Sequence, residues 1–373
     1  MHAKKHFPEY CYGLIALLVL IIGVASLQSA ARGIVFPLTL RTLFFLLIAC
    51  SLSILLPCNF ETLTRLFLYL GLTGTVISVL TLVGAACSRL GLEWLAFAVD
   101  RPNYMYGLPQ VVSFFKNPNG LGFFLVFSIA GAIILFALLK KERGESRLLT
   151  LLFYLALAVQ LFTLILTFSR AAFIALALFV LCFVWFSRRR CCYTPSLVLL
   201  STALFMSKQA FEKGGPGEIV SALFTGRIQL WGEGVNLLLR HPLFGTGLGG
   251  WFALTSNELS LHNTYLHVAV ELGLVGLIVY LAFIVLFMQG LHRAMNRSLT
   301  EPSRYALLSG LYSLSVGLLV HQFFESYLYQ GLPLFLLVII PLQALLREPA
   351  RLYRLREPVW KGQEAAWFYR RAS

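Results

Sequence analysis

Three polar clusters interrupt an otherwise apolar sequence, and each has side chains suited to handling protons or anions. Leu261-His262-Asn263-Thr264-Tyr265-Leu266-His267 stands at the entrance of an apolar run. Imidazole titrates near neutral pH, so a histidine there can take a proton from a hydroxyl nucleophile. His262 should sit at the water boundary. His267, five residues on, points about 140° away from it around a helix. It precedes Glu271 by four residues, a spacing that suits a buried polar pair. Zinc ligation by the two histidines is disfavoured, because their spacing spreads them over two faces and no HExxH or carboxylate cluster accompanies them.

Ser169-Arg170 lies between two apolar runs with almost no loop. An arginine at mid-bilayer costs about 2.5–3.5 kcal/mol on insertion scales, but at a tight hairpin it reaches the interface, as a snorkelling anchor or as an anion ligand. Thr225-Gly226-Arg227 opens a stretch in which Ile228, Trp231, Val235, Leu238 and Leu239 repeat at near-helical spacing. A guanidinium beside the free N–H groups of a helix N-terminus suits phosphate, and an ordinary solvated arginine is the alternative. The helix itself would lie on a membrane surface or pack on a bundle. Gly245, Gly247 and Gly250 fit GxGxxG, but no strand precedes them as a dinucleotide site requires. That stretch reads as a flexible turn.

The elements that must position these residues are membrane helices. Of 373 residues, 58% are apolar and only 12% charged, which excludes a soluble fold of this length. Apolar runs of about 20 residues, the length that crosses a hydrocarbon core, recur near residues 11–27, 34–56, 63–87, 120–139, 148–168, 171–187, 195–207, 263–288, 305–325 and 331–346. The expectation is an all-α polytopic protein of about ten spans, up to twelve, forming one membrane domain over 1–346 with a helical outer loop at 208–262. A basic, aromatic tail would occupy 347–373.

The net charge of +14 needs no nucleic acid to explain it, since much of it sits in short loops. With both termini inside, about 20 basic residues fall on the inner side and about 9 on the outer, which is the bias of the positive-inside rule. The two long polar stretches, 88–119 and 208–262, then share the non-cytoplasmic face. The seven cysteines have no CxxC spacing, and no disulfide framework is expected.

Lys116-Asn117-Pro118-Asn119-Gly120, Leu166-Thr167-Phe168-Ser169-Arg170-Ala171-Ala172-Phe173, Gly226-Arg227 with Leu230-Trp231, His241 through Gly249, and His262-Asn263-Thr264-Tyr265-Leu266 with Glu271 through Gly276 run in order over about residues 114–285. Together they resemble the O-antigen ligase and polymerase superfamily. The resemblance implies a metal-independent, cofactor-free, inverting glycosyltransferase of the GT-C membrane fold in a bacterial inner membrane, active on the periplasmic face. Its donor would be a glycan on undecaprenyl diphosphate, its acceptor a sugar hydroxyl of lipid A core, and its surroundings membrane lipids. By the same resemblance Arg170 and Arg227 would hold the donor diphosphate and His262 would be the base. Lys116, Asn119, Asn263, His267 and Glu271 are accessory candidates. The family usually has twelve spans, two more than counted here.

An O-antigen polymerase is the runner-up; it would need further outer cations, for which Lys116, Lys208, Lys213 and Arg240 are candidates. A protein O-oligosaccharyltransferase commonly carries a large soluble domain that this chain lacks. An anion transporter would use Arg170 and Glu271 along a path, but the paired repeats with broken helices common in transporters are not evident.

Overall fold

The computed structural model describes residues 6–29, 33, 35–40, 42–44, 60–92, 98–105, 107–115, 117–143, 146–187, 227–255 and 259–326. Most of the runs at 34–56, 195–207 and 331–346, the residues Lys116, Lys208 and Lys213, and the tail 347–373 lie outside them. Its helices are α1 (His6–Gln28), α2 (Phe60–Arg89), α3 (Pro118–Arg143), α4 (Arg147–Thr167), α5 (Arg170–Ser187), α6 (Arg227–Arg240), α7 (Gly250–Thr255), α8 (Thr264–Arg297) and α9 (Pro302–His321). Among the described residues five helical stretches are long and apolar enough to cross a membrane: Leu63–Arg89, Pro118–Lys140, Arg147–Thr167, Thr264–Arg297 and Pro302–His321. This is a membrane protein, and the boundaries fall within a few residues of the hydropathy reading except in α8, which runs to Arg297.

The all-α expectation needs one correction. Strands β1 (Val99–Met105) and β2 (Leu108–Val111) form an antiparallel hairpin in the first long polar stretch. Pro102 and Pro109 remove helical donors there and Gly107 takes a φ of 68° at the turn, so a helix cannot form. The hairpin lies over the ends of α2 and α4. Its Gln110 donates Nε2–H to the Thr167 carbonyl at 3.2 Å, satisfying one of the acceptors that a helix C-terminus leaves open.

The core is the set of faces that α3, α5, α8 and α9 turn to one another, with Leu121, Leu125, Ile129, Phe173, Phe179, Leu291 and Leu307 fully buried. Small residues set the closest approaches. A Cβ on Gly317 of α9 would stand 2.4 Å from the Ala175 carbonyl oxygen of α5, and one on Gly122 of α3 would stand 2.9 Å from the Ser169 Cβ. Helices can approach this closely in a bilayer because lipid gives them no hydrophobic driving force and packing must supply it. One polar clamp lies inside the bundle. Gln160 of α4 donates to the Gly71 carbonyl and the Thr75 hydroxyl of α2, at 3.2 and 2.9 Å, and accepts from Ser128 of α3 at 2.7 Å.

Helix α8 is broken at Gly273, whose φ of 70° and ψ of −177° belong to a region that only glycine enters without strain. The segment 242–247 occupies the break. Thr246 N–H donates to the Val270 carbonyl at 3.0 Å, Gly247 N–H to Glu271 at 2.9 Å, Leu274 N–H to Pro242 at 2.8 Å and Val275 N–H to Leu243 at 3.3 Å. The backbones meet so closely that a Cβ on Gly245 would lie 2.4 Å from the Glu271 carbonyl carbon. The GxGxxG stretch is therefore a wedge of backbone and not a flexible turn. Gly245 serves close approach where a membrane helix has lost its own hydrogen bonds, while a Cβ on Gly247 would meet Val35 and one on Gly250 would meet Thr246.

Candidate active site

Four elements end at one end of the bundle and bring their polar residues together around Glu325. Helix α9 stops at His321, and a turn carries the chain on to Glu325 and Ser326. The start of α8 is tied to that turn by backbone and side-chain bonds. Thr264 N–H donates to the Gln322 carbonyl at 2.9 Å, Asn263 N–H donates to Ser326 Oγ at 3.1 Å, and the Thr264 hydroxyl lies 2.7 Å from Gln322 Oε1. Asn263 also caps α8, its Oδ1 accepting the Leu266 N–H at 3.0 Å. His262, just ahead of the cap, takes a φ of 47°, a left-handed backbone held by these neighbours.

The Glu325 carboxylate has three hydrogen-bond partners among the described residues. Asn119 Nδ2 donates to its Oε1 at 2.7 Å, Arg227 Nη2 donates to the same oxygen at 2.8 Å, and His262 Nδ1 lies 2.9 Å from Oε2. The carboxyl side chain is 2% exposed, against 16% for Arg227 and 25% for His262. A buried carboxylate is tolerable only when paired and hydrogen-bonded, and here helices α3, α6 and α8 supply the donors. An ionised carboxylate can only accept, so a neutral imidazole bonded to it here carries its proton on Nδ1 and leaves Nε2 as an acceptor. Nε2 has no partner among the described residues. The buried acid thus joins a partly exposed imidazole and a partly exposed guanidinium through its two oxygens.

Arg170 opens α5 at this same end and is half-buried. Ser169 beside it packs on Gly122 of α3, one turn from Asn119. The turn before Arg170, with Phe168 at a φ of 54°, is the tight hairpin that the sequence predicts. His267 and Glu271 form the predicted pair, Nε2 to Oε1 at 3.2 Å, each side chain only 1% exposed. They lie inside, away from the surface that His262 offers, beside the Phe252 ring. Among the described residues there is no group of three or more His, Cys, Asp or Glu able to hold a metal ion.

Helix α6 forms where the periodicity predicts it, but the stripe divides. Leu238, with Leu230 and Leu237, packs on Trp251, Leu261 and Val270, while Ile228, Val235 and Leu239 are exposed. Gly234 admits Leu261 and Leu266, and Trp231 Nε1 donates to the Leu261 carbonyl at 2.8 Å. The helix packs on the bundle, and this packing sets Arg227 at the site. Glu325, Gln322 and His321 were not singled out by sequence reasoning. The available signal was a His-Gln-Glu set within the apolar run 305–325, where ionisable residues are costly and tend to be functional. His321 is fully buried against the Phe123 ring, with centroids 5.0 Å apart, on the inner side of the site.

Residues 153–281 match the family model described as O-Antigen ligase. This segment contains α5, α6, the 242–247 wedge and the N-terminal half of α8, and with them Arg170, Arg227 and His262. The family comprises glycosyltransferase-like enzymes that act on lipid-linked sugars. No curated protein matches the chain.

Proposed function

We propose that this chain, whose residues 153–281 match the O-antigen ligase family model, is an O-antigen ligase of the bacterial inner membrane. It transfers a glycan from undecaprenyl diphosphate to a sugar hydroxyl of lipid A core, on the periplasmic face and in a GT-C-type fold. The observation that carries this reading is the single buried carboxylate that joins His262 and Arg227. One residue can take a proton and the other can hold an anion, and both side chains remain partly exposed.

The chemistry is a single displacement. The acceptor hydroxyl gives its proton to His262 Nε2 while its oxygen bonds to the anomeric carbon. The bond from that carbon to the diphosphate oxygen breaks, and undecaprenyl diphosphate leaves with the electron pair. Attack opposite to the leaving group inverts the anomeric centre. Charge grows on the leaving diphosphate, so guanidinium groups that meet it bind the transition state more strongly than the ground state. Arg227, which meets Glu325 through one nitrogen, and Arg170 at the N-terminus of α5 take that role. The imidazolium that forms is stabilised by Glu325 through Nδ1–H. With a base and two cations in place, no metal is required.

The basic residues Lys140, Lys141, Arg143, Arg147, Arg293, Arg297 and Arg304 lie at the opposite end of the bundle from Glu325, which supports a cytoplasmic placement of that end and a periplasmic site. The test is transfer by the purified protein from undecaprenyl-diphosphate glycan, in EDTA, with lipid A core and a second donor molecule offered as acceptors. Product on lipid A core is expected. Lengthened lipid-linked glycan would make the protein a polymerase, and no product with either would overturn the reading.

A further inference from the structure

The ion pair between Arg227 and Glu325 raises a question that the proposed reaction leaves open, since the guanidinium meant for a diphosphate is bonded to a carboxylate. We infer that Glu325 is a charge latch on Arg227 which the donor diphosphate must open, and that Asn119 keeps the carboxylate on His262 when it does. The inference rests on the reading of the site as a transferase for diphosphate-linked donors.

The geometry is that of a contact made to be exchanged. Arg227 meets Glu325 through one nitrogen, Nη2 to Oε1 at 2.8 Å, and not through the bidentate fork that makes arginine–carboxylate pairs strong. Its oxygen is shared with Asn119 at 2.7 Å. Arg227 is the partly exposed member of the pair and Glu325 the buried one, so an arriving anion meets the guanidinium first. A diphosphate brings more charge and paired oxygens at the spacing of the fork. It also brings repulsion with the carboxylate, and that repulsion favours separation of Glu325 from the anion-bound Arg227.

What remains after the exchange explains Asn119. With Arg227 gone, Glu325 still accepts from Asn119 at Oε1 and from His262 at Oε2. The backbone ties of Thr264 and Asn263 to residues 322 and 326 hold the two segments in register. Before donor binding, the charge of Glu325 is offset by Arg227. Afterwards it is left to the imidazolium that proton transfer creates on His262. The base is thereby fully supported only when a donor is seated, which restrains proton transfer in an empty site. Asn119 and Glu325 are positioning residues here, since neither needs to touch the sugar.

The test separates binding from turnover in the full-length protein reconstituted in nanodiscs. Inorganic pyrophosphate is titrated calorimetrically, and kcat and donor KM are measured in the transfer assay. Glu325→Gln should bind pyrophosphate about tenfold more tightly, because competitor and repulsion are both gone, while kcat falls about a hundredfold. Asn119→Ala should lower kcat while leaving pyrophosphate affinity within about twofold of wild type. Glu325→Asp, which withdraws the carboxylate by one methylene, should shift both quantities as Glu325→Gln does, by smaller factors, and serves if the first variant does not fold. Pyrophosphate affinity that is unchanged or weaker in the folded Glu325 variants overturns the latch, even with the transferase intact. Wild-type protein that transfers no glycan would instead sink the reading beneath it.

Discussion

Replacing Gly273 by alanine tests whether the break in α8 is held by the wedge or is merely tolerated. A Cβ at this position would stand 2.1 Å from the Leu243 carbonyl oxygen and 2.2 Å from its carbon, both backbone atoms with no rotamer to yield. Restoring ordinary contact requires a shift of roughly 1 Å, enough to break the Leu274-to-Pro242 and Val275-to-Leu243 bonds at 2.8 and 3.3 Å. The backbone at φ 70° adds about 1–3 kcal/mol of strain for a residue with a side chain. Two hydrogen bonds add about 1 kcal/mol each, so Gly273→Ala should cost about 3–5 kcal/mol. The wedge joins α6 to α8, so His262 should also lose its register with Arg227 and transfer should fall with stability. The assay is denaturant unfolding in detergent followed by tryptophan fluorescence, where buried Trp251, close behind the wedge, reports opening. Gly232→Ala on α6 is the control, since its Cβ meets nothing within 4 Å and it should be neutral or slightly stabilising. A Gly273→Ala protein within about 1 kcal/mol of wild type would refute the wedge.

Three further outcomes are expected. His262→Ala should reduce kcat by about 10²–10⁴-fold while donor binding survives, whereas Arg227→Ala should weaken both, as read by donor KM and kcat; near-normal transfer by His262→Ala would reject it as the base and turn attention to His267. Gln160→Leu removes three interhelical hydrogen bonds, to Gly71 and Thr75 and from Ser128, though both hydroxyls keep a backbone carbonyl, and should lose about 1–3 kcal/mol of stability with little change in donor KM; equal unfolding midpoints for wild type and variant would deny the clamp its role. Dialysis against EDTA should leave the transfer rate unchanged, and a loss restored by added divalent cation would contradict the metal-independent mechanism.

The membrane character and the extents of α2, α3, α4 and α9 are legible in the sequence, because hydropathy over some 20 residues is a local property and lipid forces helical hydrogen bonding within each segment. The tight turn before Arg170, the helix from Arg227 and the His267–Glu271 pair are likewise local, set by spacings of one to a few residues. The hairpin at 99–111 falls outside that logic, since strand pairing in a polar stretch leaves no helical period to read.

Tertiary structure alone decides which polar residues meet. Asn119, Arg227, His262 and Glu325 come from four separate segments, and nothing in local periodicity says that the acid after α9 lies under the histidine before α8. The break at Gly273 is decided the same way: the glycine permits the turn, but only the backbone of residues 242–247, packed against it, replaces the hydrogen bonds that the helix gives up. Sequence sets what each segment can do alone in lipid; the site exists because a buried carboxylate must find its donors, and only the packed bundle brings them.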